Sequence, residues 1–89
     1  METSQRYPIR NMLGLHARAA AAFVKIANRY QSDIEVVKDG VAVNGKSIMG
    51  VLMLAAAKGT EIDVRARGDD AEEALEALGK LIEDKFGEE

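Results

Sequence analysis

The sequence predicts an α+β fold: an open-faced two-layer sandwich with a four-stranded antiparallel sheet and three helices on one face, in the order β-α-β-β-α-β-α. Three observations predict it. Segments whose apolar residues alternate at period two are interleaved with segments whose apolar residues recur at helical spacing. The dipeptide Asp39-Gly40 joins two of the strand-like segments and is a tight-turn signal. The 89 residues, 47% hydrophobic, suffice for one core in one domain spanning residues 1–89, and are too few for a second domain or a deep enclosed pocket. A split βαβ start followed by a hairpin arranges such elements in two layers.

The first strand contains Pro8, the only proline, which cannot donate to a ladder and therefore belongs on an edge. After a break at Gly14, Ala20, Phe23, Val24, Ala27 and Tyr30 follow helical spacing, so a first helix is expected from Ala17 to about Tyr30. Ile34 and Val36 alternate with Asp33 and Glu35 across 32–38, and Val41 and Val43 follow the Asp39-Gly40 turn; together these read as a hairpin. Asn44-Gly45-Lys46 turns the chain into a second helix, with Ser47 as its N-cap and Gly59, after Lys58, as its stop. Ile62, Val64 and Ala66 alternate with charged residues over 60–67, a half-buried strand ended by Gly68. Asp69 and Asp70 are candidate caps for a third helix, Glu72 and Glu73 complete a capping-box pattern, and Ala71, Ala74, Leu75, Leu78 and Ile82 form its apolar stripe.

Composition excludes several function classes. Without cysteine and with a single histidine, thiolate and multi-histidine metal sites are ruled out, and neither a metal nor a cofactor is expected. The longest apolar run, 51–57, is too short to span a bilayer, and the first ten residues hold no apolar stretch of leader length, so the expected compartment is the cytoplasm with no membrane partner. A net charge of -3 with both signs interspersed, and only two Tyr and two Phe, argue against nucleic-acid binding.

The one histidine, His16, stands between the first strand and the first helix in Leu13-Gly14-Leu15-His16-Ala17-Arg18. At a helix start the leading N–H groups have no intrahelical acceptor, so the backbone at Ala17 and Arg18 can cradle an anion, and the helix dipole adds a favourable field. The same field favours the neutral, nucleophilic imidazole by roughly 0.3–1 kcal/mol. Arg18 can turn its planar guanidinium to phosphoryl oxygens. The constellation suits phosphoryl transfer. On the residues alone, His16 serves equally as a helix-start residue without chemistry and Arg18 as an ordinary solvated one.

Gly14-Leu15-His16-Ala17-Arg18, followed by an alanine-rich helix, resembles the phosphohistidine motif of the histidine-containing phosphocarrier family. A second motif, Gly45-Lys46-Ser47-Ile48-Met49-Gly50-Val51 followed by Lys58-Gly59, is similar to the regulatory-serine segment of that family. With the order of elements, the resemblance extends from about Tyr7 to Phe86. It implies a carrier, not a catalytic enzyme, that takes a phosphoryl group on Nδ1 of His16 from phosphorylated enzyme I and gives it to enzyme IIA-type proteins. Arg18 would stabilise the phosphate, and a serine kinase would act on Ser47. A monomer is expected. The family motif continues Arg-Pro where this chain has Arg18-Ala19, which leaves the first helical turn with a looser backbone and one more donor.

Ser47 is also a favoured N-cap, a structural role that needs no phosphorylation. The second helix is apolar nearly all round, so part of its surface must stay exposed. At 100° per residue Val51, Leu54 and Ala55 share one side, assigned to the core, and Met49, Leu52 and Met53 the other. The resemblance makes Lys46, Ile48, Met49 and Leu52 a partner-binding patch, with Met adaptable to several partners; incidental exposure is the plain alternative. A sugar-uptake chain and a regulatory, nitrogen-type branch both fit the sequence. A protein-interaction module without phosphorylation is the alternative of another class.

Overall fold

The computed structural model describes residues 1–88. Four strands, β1 (Glu2–Pro8), β2 (Asp33–Lys38), β3 (Val41–Asn44) and β4 (Glu61–Arg67), and three α-helices, α1 (Ala17–Ala27), α2 (Ile48–Met53) and α3 (Ala71–Glu83), follow one another in the expected order. A short turn with left-handed backbone, Lys85–Gly87, comes after α3. All strand pairings are antiparallel, and the sheet order is β1-β4-β2-β3. Pro8 therefore lies on an edge strand, where its missing donor costs no ladder bond.

Period-two alternation becomes two faces. Tyr7, Ile34, Val36, Ile62, Val64 and Ala66 are buried, while their neighbours Arg6, Glu35 and Arg65 stay exposed. The buried face is covered by Ala20, Phe23, Val24 and Ala27 of α1, by Val51 of α2, and by Ala71, Ala74, Leu75, Leu78 and Ile82 of α3. Phe23 is fully buried, and burial of such a ring contributes roughly 1.5–3 kcal/mol. Alanines at the start of α1 let it sit close: Ala19 and Ala20 are buried although they present only methyl groups. Gly79 plays the same part on α3, since a Cβ there would lie 2.5 Å from the Tyr7 hydroxyl oxygen.

Several expectations need correcting. The second helix does not run towards Gly59; it ends at Met53, and Ala55 takes a left-handed φ of 49° and is exposed instead of joining Val51 and Leu54 in the core. The reason is tertiary. Ala56 is buried, and its carbonyl accepts the Leu15 N–H at 2.8 Å, a bond a continuing helix would withhold. Asp70 stands at the start of α3 without capping it: its carboxylate accepts the Gln31 and Ser32 N–H groups, each at 2.9 Å, and the Ser32 hydroxyl. The capping box expected from Glu72 and Glu73 has no side-chain cap bond to complete. The first helix closes slightly early, because Arg29 and Tyr30 bond back three residues, to Ile26 and Ala27, in a tightened final turn.

Candidate functional site

The loop between β1 and α1 is built to hold one residue at the head of a helix. Asn11 and Gly14 close a turn, with the Gly14 N–H donating to the Asn11 carbonyl at 3.2 Å and Asn11 Nδ2 donating to the Gly14 carbonyl at 2.7 Å. Gly14 has a φ of 65°, and a Cβ on it would stand 2.3 Å from the Ala56 carbonyl oxygen. Both the left-handed backbone and the close approach require glycine. Leu15, buried, anchors the next step by its N–H bond to Ala56. His16 then occupies the N-cap position of α1, extended at φ -74° and ψ 177°, and its carbonyl accepts the Ala20 N–H at 2.8 Å.

His16 holds the cap position without capping: its side chain makes no bond to the helix backbone. The N–H groups of Ala17, Arg18 and Ala19 have no backbone acceptor among the described residues, and the first turn carries no acidic residue. Three donors and the positive end of the helix dipole thus converge where an anion is favoured. Arg18 is exposed and makes no hydrogen bond or ion pair among the described residues. It lines an open basin with Met12, Leu13, His16, Ala17 and Glu88. His16, Ala17 and Arg18 are together, as the sequence suggests.

Two residues of this site escape sequence reasoning. Glu88 reaches His16 from the far end of the chain, its Oε2 accepting a hydrogen bond from Nε2 of the ring, and its Oε1 accepts Asn11 Nδ2 at 3.1 Å. Lys85 and Phe86, both at φ 57°, and Gly87, at φ 80°, turn the chain back after α3 to deliver it. The Glu88 carboxyl is held below its ordinary range chiefly by the His16 hydrogen bond, then by that of Asn11, with desolvation opposing. Asn11 is fully buried, and its Oδ1 has no partner among the described residues. An orphan of this kind costs about 1–3 kcal/mol. No periodicity marks Glu88; Asn11 could have been flagged only as a polar residue inside an otherwise apolar loop.

The second motif lies on α2. Ser47 is its N-cap, and its Oγ accepts the Gly50 N–H at 3.0 Å. Lys46 is tied down, its Nζ donating to the Tyr30 carbonyl at 2.7 Å. Ile48 and Met49 are exposed, Met49 by 70%, whereas Leu52 packs partly against the core. Met53, at 76%, is more exposed than any residue of the expected patch, and Met12 and Leu13, outside it, are exposed by 70% and 67% beside His16. Among the described residues no cluster of His, Asp or Glu could hold a metal ion, and no helix is long and apolar enough to cross a membrane.

Comparison with known proteins agrees with this geometry. Residues 3–84 match the family model described as the PTS HPr component phosphorylation site. The chain is 51% identical to the phosphocarrier protein HPr of Neisseria meningitidis over 84 residues, 94% of each. Its fold superposes on the crystal structure of HPr-C-His from Thermoanaerobacter tengcongensis with a TM-score of 0.94 at 49% identity, covering 98% of both chains. A structure described as an HPr dimer from the same organism matches at a TM-score of 0.79 and 51% identity, covering 92% of this chain and 94% of that one. The chain belongs to the HPr family, the phosphocarrier proteins of the phosphotransferase system.

Proposed function

We propose that this phosphocarrier holds its phosphoryl group on His16, receiving it from phosphorylated enzyme I and passing it to enzyme IIA-type proteins. One observation carries the reading: His16 sits at the N-cap of α1 beside the N–H groups of Ala17, Arg18 and Ala19 and the guanidinium of Arg18, none of which has a hydrogen-bond partner among the described residues. The donors face charge that grows on phosphoryl oxygens as the group moves, and Arg18 adds a planar cation at the same place. Because the basin is open, two protein partners in turn can approach the ring.

Ile48, Met49 and Leu52 form the docking surface, with Met12 and Leu13 beside the histidine extending the apolar area, and Lys46 contributes mainly by fixing the start of α2 through Tyr30. Ser47 is the regulatory phosphorylation site for a serine kinase; a phosphate on its Oγ retains acceptors for the Gly50 N–H and adds about two negative charges to the docking surface. The carrier works in the cytoplasm as a monomer, a state supported by β1 pairing in full register with β4 of its own chain. Sedimentation at working concentration checks that state against the dimer seen in the relative. The relay is tested by loading the protein with phosphoenolpyruvate and enzyme I, isolating it, and adding an enzyme IIA. Loss of label from the carrier with its appearance on the acceptor is expected; a carrier that loads but transfers to no enzyme IIA would restrict it to another role.

A further inference from the structure

We propose that Glu88 is a positioning residue for His16, fixing the imidazole as the Nε2–H tautomer so that the Nδ1 lone pair is the phosphoryl acceptor. This rests on the reading of His16 as the acceptor. A carboxylate only accepts hydrogen bonds, so the ring nitrogen facing Glu88 must carry a proton, and in the neutral ring the other nitrogen keeps its lone pair. Glu88 engages Nε2, and Nδ1 has no hydrogen-bond partner among the described residues.

The carboxylate is itself held in place. Its second oxygen accepts Asn11 Nδ2, and Asn11 is fully buried and also donates to the Gly14 carbonyl, in the loop that fixes His16. The backbone that presents Glu88 is specific: Lys85, Phe86 and Gly87 all have positive φ, the Gly87 and Glu88 N–H groups bond to the Asp84 and Lys85 carbonyls, and Phe86 packs against the core. Left-handed non-glycine residues persist where their surroundings over-determine them. The match to the family model covers residues 3–84, so Glu88 lies outside the matched residues.

In the transfer step the Nδ1 lone pair forms the N–P bond while the bond from phosphorus to the donor atom breaks, and the donor atom keeps that electron pair. No proton moves. The ring then bears both Nε2–H and Nδ1–P and carries a positive charge, which the Glu88 carboxylate offsets; the return step reverses the same electron flow. The charged groups lining the His16 basin are Arg18 from α1 and Glu88 from the segment after α3.

The test compares wild type, Glu88→Ala and Glu88→Gln, all expected to fold because Glu88 lies outside the core. Ring ¹⁵N spectra of histidine-labelled protein should show wild type as the Nε2–H tautomer with its ring proton protected from exchange, and Glu88→Ala with that protection lost. The rate constant for phosphorylation at saturating enzyme I should fall roughly tenfold in Glu88→Ala, in line with the loss of an orienting partner. Glu88→Gln, which keeps an acceptor without the charge, should retain the tautomer and lie between the two in rate. Identical ring spectra in wild type and Glu88→Ala, or altered spectra with an unaltered rate, would overturn the proposal. A wild type that takes no phosphate on His16 would instead refute the acceptor assignment, while the spectra would still decide whether Glu88 orients the ring.

Discussion

Replacing Ala19 with proline restores the family pattern and should stabilise the protein. Ala19 is the third residue of α1, and its N–H has no backbone acceptor among the described residues, so proline removes no helical bond. Its gain comes from the unfolded chain, which loses conformational freedom; at a compatible site this is worth about 0.4–1 kcal/mol. For a domain of this size each kcal/mol moves Tm by about 4–8 °C, so a rise of about 2–8 °C is expected. The opposing effect is steric, because the ring must fit beside the Leu15 carbonyl at a residue that is 1% exposed. Thermal unfolding by circular dichroism, run on the free and the phosphorylated forms, separates the contributions. A lower midpoint in the free form would refute the reasoning about the first turn. A higher midpoint with a shorter phosphohistidine lifetime would show that the Ala19 N–H is one of the donors that holds phosphate.

Gly14→Ala should destabilise by more than about 2 kcal/mol, combining the left-handed penalty with a clash on the Ala56 carbonyl; chemical denaturation reads it, and a loss under half that size would mean the loop yields easily. Ser47→Ala should cost about 0.5–2 kcal/mol through loss of the Gly50 bond, whereas Ser47→Asp should keep stability and slow phosphorylation by enzyme I. Arg18→Ala should lower the transfer rate constant more than partner affinity, because the guanidinium makes no hydrogen bond or ion pair among the described residues; stopped-flow at varied enzyme I concentration separates the two. Hydrogen bonds from the Ser32 hydroxyl, then the Gln31 and Ser32 N–H groups, depress the Asp70 carboxyl. Its contribution is therefore complete above the ordinary carboxylate pKa of about 3.9 and disappears as pH falls through the lower folded value. Asp70→Asn should melt earlier than wild type at neutral pH, with the gap narrowing in acid; a gap independent of pH would rule out the charged form as the source.

The fold was legible because its alternation and helical spacing coincide with burial: Ile34, Val36, Ile62, Val64 and the α3 stripe are all inside. What escaped was decided by contacts between distant residues. The stretch from Leu54 to Ala57 favours helix locally, yet the Leu15 N–H claims the Ala56 carbonyl and bends the chain away at Ala55. Asp70 has the chemistry of a cap, yet its acceptors go to Gln31 and Ser32 across the fold. At the site, His16 and Arg18 are neighbours in sequence and share one helix start, so the pair could be read directly. Glu88 is 72 positions from His16, and only the reversal at 85–87 brings them together. Lys46 shows a related point, since the sequence does not reveal that its ammonium also donates to the Tyr30 carbonyl.

The central claim, that the phosphoryl group resides on His16, is tested most directly by locating it. Wild type and His16→Ala are incubated with phosphoenolpyruvate and enzyme I, and the products are examined by intact mass, acid lability and ³¹P–¹H correlation to the ring. Wild type should gain one acid-labile phosphoryl group coupled to the His16 imidazole, and His16→Ala, folded to the same midpoint, should gain none. Acid-labile label on His16→Ala, or a wild-type phosphate that correlates with no histidine ring, would contradict it.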